Sequence, residues 1–125
     1  MRDQFNFSGD FRGAVVNIQS YLDQASQCAT ALPGDAGDRD QLTALLSVLG
    51  RELAKLPERE QAVAAQIASR TEELVATAAA PEPDRSRLRQ LGDAVIGGVK
   101  LLGSAGPGVA ETAEKVVALV SRIAG

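Results

Sequence analysis

The chain has 125 residues, of which 45% are apolar and only 3% aromatic, and it carries a net charge of −3 at pH 7. Such a length suits one domain that buries roughly two thirds of its unfolded surface, with a core of Leu, Val, Ile and Ala. The acidic balance excludes general affinity for nucleic acid. The single cysteine excludes an internal disulfide, and the absence of histidine excludes the usual zinc sites, Ser-His-Asp triads and Cys-His pairs.

Residues 3–13, DQFNFSGDFRG, differ from everything after them. All three phenylalanines sit here: Phe5 and Phe7 at strand spacing, and Phe11 beyond Gly9. Two glycines and two aspartates disfavour a helix, so residues 1–19 read as a short extended arm. Its phenylalanines either cap an open end of the core or form an adhesive edge for another chain. Phe5, Phe7, Phe11 and Val15 are therefore candidate interaction residues.

The start of the next segment can be read two ways. Val15, Ile18, Leu22, Ala25, Ala29 and Leu32 step by three or four, which is helical spacing. Ser20 followed by Asp23 resembles a capping box, and Val15-Val16 favours a strand. The secure helix is 20–32, with 14–19 open between strand and helix, and Pro33-Gly34 ends it. Cys28 lies beside the apolar stripe and reads as a partly buried, inert thiol, because no base is available to activate it.

Asp35, Asp38 and Asp40 lack the spacing of a calcium loop, and helix capping accounts for them. The stretch from Asp38 to Pro57 is the organising element. Leu42, Leu46, Leu49, Leu53 and Leu56 step by four, three, four and three, all on one helical face. Asp38 is placed to cap this helix and Pro57 to stop it. A third helix follows over 58–79, with Val63, Ile67, Leu74 and Ala78 on its buried side and Glu72-Glu73 on an exposed face. The short link makes it an antiparallel neighbour of the Leu-rich helix.

After a break at APEPDRS, a fourth helix spans 84–103, with Leu88, Leu91, Val95, Val99 and Leu102 on one side. Arg85, Arg87 and Arg89 cluster at its start, the end of the helix dipole that disfavours cations. They are candidate interaction residues, against the plainer reading of a solvated face. Gly92, Gly97 and Gly98 each cost about 1 kcal/mol relative to alanine inside a helix. Close packing is the favoured explanation, and a helix that changes shape or enters a membrane is the other. Beyond GSAGPG, a fifth helix over 108–124 carries Val109, Ala113, Val116, Val120 and Ile123, with Glu111, Glu114 and Lys115 opposite. Its polar side is more acidic than basic, which weighs against a membrane surface.

The resulting expectation is all-α: a four- to five-helix antiparallel bundle, 1–125 as one domain, with the short N-terminal arm. There is no phosphate loop, no facing carboxylate pair and no Glu-x-x-His di-metal pattern, so no enzyme, cofactor or metal is expected. The N-terminus lacks an apolar signal-like run, and no uncharged stretch of about 18 residues or more could span a bilayer. A cytoplasmic location is expected.

The run GDFRGAVVNIQSYL, residues 9–22, resembles the opening of a small bacterial family. Its members begin Gly-Asp-Phe-x-Gly-Ala-hydrophobic-x-Asn-hydrophobic-x-Ser-x-Leu, then carry a Leu-rich helix, a Pro break and further helices. The likeness is specific over residues 9–22 and extends in layout to most of the chain. Similar segments lie beside caspase-like, TIR or STAND NTPase components. The resemblance implies a non-catalytic adaptor or assembly module whose partner is itself, a protein effector, or both. The rival readings are a membrane-active protein using its Gly-rich C-terminal helices and an antitoxin or immunity-type inhibitor. DFRGA is also similar to one pentapeptide-repeat unit, but a single unit cannot form a solenoid rung.

Overall fold

A computed structural model of the protein describes residues 17–102 and 107–124. Among these the architecture is an all-α bundle. The helices are α1 at residues 17–29, α2 at Ala36–Ala54, α3 at Gln61–Ala78, α4 at Arg85–Lys100 and α5 at Pro107–Ala124, with a 3₁₀ turn at Glu58–Glu60 before α3.

The apolar spacings become the core. Ile18, Leu22, Ala25, Ala29 and Leu32 are all buried, so α1 turns one continuous stripe inward. This settles the open boundary in part. Residues 17–19 are helical rather than part of an extended arm. Ser20 therefore lies inside a helix and cannot act as its cap; the stripe that begins at Ile18 outweighs the local capping signal. Residues 14–16, with Val15, lie outside the described residues.

In α2, Leu42, Leu46, Leu49 and Leu53 are completely buried. The helix begins earlier than Asp38: Asp35 holds the N-cap position with extended backbone, and Asp38 falls in the first turn. The Asp38 carboxylate instead pairs with Arg122 of α5 at 2.9 Å. The helix also ends short of Pro57, at Ala54, and Pro57 opens the 3₁₀ turn. The step from α1 to α2 is tied by Arg39, whose Nη1 donates to the carbonyls of Leu32 at 3.1 Å and Gly34 at 2.6 Å. Gly34 has φ +106°, a left-handed backbone that favours glycine.

Helices α2, α3, α4 and α5 form a ring. Within the ring α3 packs most extensively on α4, and α2 on α5; α4 also meets α5, and α2 meets α3. The neighbour relation of α2 and α3 holds, although each makes its larger contact elsewhere. α1 lies against this ring. Leu22 fills the space over Gly50 of α2, 3.5 Å from where a Cβ would stand, and Cys28 comes near enough to Glu72 of α3 to feel its charge. Glu72 and Glu73 are consequently half-buried, not on an exposed face as the sequence suggests.

Two of the three glycines in α4 mark close approach. A Cβ on Gly92 would stand 3.1 Å from Val117 of α5, and one on Gly98 would stand 3.0 Å from Ile67 of α3. Gly97 has nothing within 4 Å. No helix among the described residues is long and apolar enough to cross a membrane.

Candidate functional site

The start of α4 shows why three arginines can sit at the positive end of a helix dipole. Asp84 is the N-cap, and its Oδ1 accepts from the backbone N–H groups of Ser86 at 2.9 Å and Arg87 at 3.2 Å. That carboxylate satisfies two orphan donors and places a negative charge at the unfavourable end.

Helix geometry then divides the arginines. Residues two apart point to nearly opposite sides, and residues four apart share one. Arg87 turns toward α3 and pairs with Glu73 Oε2 at 3.2 Å, a carboxylate that also holds Arg70 at 2.8 Å. Arg85 and Arg89 instead line a surface groove between α4 and α5, a cleft of about 290 Å³. The expected three-residue cluster is therefore divided: Arg87 faces Glu73 of α3, and Arg85 and Arg89 line the groove.

The floor of this groove is aliphatic. Leu88 and Ile96 of α4 and Val117 of α5 line it, all half-buried against the core. Gly92 lies between Leu88 and Ile96, and its missing Cβ is what lets Val117 approach α4. Asp93 and Ser121 complete the rim. The arrangement offers apolar contact beside charges of both signs. A second cleft of about 430 Å³, between α1 and α2, is edged by the polar Gln19, Asp23, Ser26, Ser47 and Arg51.

Sequence reasoning named Arg85 and Arg89 but not Asp93, Ile96 or Val117 as their companions. The available signal was the i, i+4, i+8 alignment of Leu88, Gly92 and Ile96, which places a gap in the middle of an apolar line. Phe5, Phe7, Phe11 and Val15 lie outside the described residues.

The remaining chemistry-bearing groups are mild. Burial pushes the Cys28 thiol above its ordinary value, and the nearby Glu72 carboxylate adds to that, so little thiolate is present at neutral pH. Burial likewise raises Glu72, with Glu73 beside it contributing. Among the described residues no three His, Cys, Asp or Glu side chains come together as a metal site. No family model, curated protein or solved structure matches the chain.

Proposed function

We propose that the protein is a non-catalytic interaction module, which self-associates or joins an effector to its sensor. The observation that carries this reading is the α4/α5 groove, where an aliphatic floor formed by Leu88, Ile96 and Val117 meets the guanidinium groups of Arg85 and Arg89 at the surface. Apolar contact ringed by charge is the ordinary composition of a protein-binding patch, and arginine is enriched in such patches. The raised Cys28 thiol supports a role without nucleophilic chemistry. The phenylalanine-bearing stretch, with Phe5, Phe7 and Phe11, supplies a second adhesive element.

Light scattering at high micromolar concentration tests this. The expected result is a defined dimer or larger assembly. Phe7→Asp combined with Phe11→Asp should weaken it while the helical circular dichroism stays unchanged. A protein that remains strictly monomeric and retrieves no partner from lysate ends the proposal.

A further inference from the structure

We propose that the α4/α5 groove receives a second copy of this chain, with the two α4 helices packed antiparallel about a twofold axis beside Gly92. This deepens the self-association proposed above and rests on it.

The choice of occupant comes from the charges. Arg89 and Asp93 are both exposed, both line the groove, and stand one turn apart on α4. Among the described residues neither forms an ion pair, with the other or with any third group. An acid placed four residues after its base is the weaker order for pairing along a helix. Both charges thus stay available to a partner, and they are of opposite sign. A uniformly acidic or basic partner would satisfy one and oppose the other. A second copy of the same edge satisfies both.

The register follows from the sequence. In an antiparallel pair related by a twofold axis, facing residue numbers have a constant sum. An axis at residue 91 sets Arg89 of each copy opposite Asp93 of the other. An axis at Gly92 sets Leu88 of each copy opposite Ile96 of the other. These settings differ by one residue, so an axis between them serves the ionic and aliphatic pairs to within about 1.5 Å, the helical rise per residue. Gly92 itself is buried beneath Val117 of α5, so the crossing helix of the second copy rests on Val117. Such isologous twofold contacts are the commonest way a chain pairs with itself.

Charge reversal tests the arrangement, with circular dichroism verifying that each variant folds. Arg89→Asp alone and Asp93→Arg alone each set like charges face to face at both ends of the contact. Each should weaken dimerisation by about tenfold or more in sedimentation velocity. Mixing the two variants in equal amounts brings an acidic edge against a basic one and should restore a one-to-one dimer. The proposal is overturned if either variant alone dimerises as well as the unaltered chain, or if the mixture stays monomeric. If Phe7→Asp with Phe11→Asp dissolves the assembly and both reversals are neutral, this register is wrong and the self-association reading survives. An unaltered chain that never associates removes both.

Discussion

Glu72 is where a single side chain makes the fold depend on pH. Its carboxyl is raised by burial and then by Glu73, so folding disfavours its ionised form. The unfolded chain gives up that proton at a lower pH than the native one. Stability therefore falls as pH rises from the ordinary glutamate value of 4.5 through the raised native one. Glu72→Gln should stabilise the fold slightly above that interval, by no more than about 0.5 kcal/mol in denaturant titration because solvent screens a group this accessible. The gain should vanish below the ordinary value, and a gain that persists there would refute the assignment. The α4 glycines make a sharper contrast. Gly97→Ala should stabilise by about 0.5–1 kcal/mol, since the new methyl meets nothing and the helix gains propensity. Gly98→Ala should destabilise by about 1–3 kcal/mol, because its Cβ would press on Ile67, which is itself buried. Denaturant titration of both variants measures the difference. That these glycines were unusual was legible from sequence. Which of them touch a neighbouring helix was not, because this depends on how α4 is rotated against α3 and α5.

At the scale of an element, the boundaries depend on local chemistry that spacing alone underdetermines. Asp84 carries the first turn of α4 through two backbone hydrogen bonds, so Asp84→Ala should cost about 1 kcal/mol in chemical denaturation. Asp35 sits at the N-cap of α2 but makes no such side-chain bond, so Asp35→Ala should cost less. Most stripe positions could be read directly, because burial selects residues that the helical period aligns. Leu56, Val63, Leu88 and Ile123, however, are only half-buried, and the fully buried Val75 was not among those named. The starts of α1 and α2 were harder. Ser20 and Asp38 both look like caps, but the buried stripe of α1 runs on through Ile18, and the chain leaving Gly34 enters α2 at Ala36. Three-residue signals compete poorly with a stripe that loses several buried aliphatics if it shifts.

For the whole molecule, the all-α bundle was legible from the alternation of apolar stripes with Pro- and Gly-bearing breaks. The partnering of helices was less so. Chain proximity suggests α2 against α3, whereas the larger contacts join α3 to α4 and α2 to α5. The difference lies in small residues: Gly98 admits Ile67 and Gly92 admits Val117, so α4 is drawn close to both α3 and α5. The α2–α5 contact is reinforced at opposite ends by Asp38–Arg122 at 2.9 Å and by Thr112 donating to Glu52 at 2.7 Å. The groove beside Gly92 is a product of that packing, which is why two arginines could be named from sequence and their aliphatic floor could not. A module that pairs with its own copy does so unaided in solution, and sedimentation velocity of the unaltered chain across the micromolar range addresses this most directly. A species heavier than the 13.0 kDa monomer, growing with concentration to a fixed stoichiometry, is the predicted result. A single 13.0 kDa species at every concentration would contradict self-association.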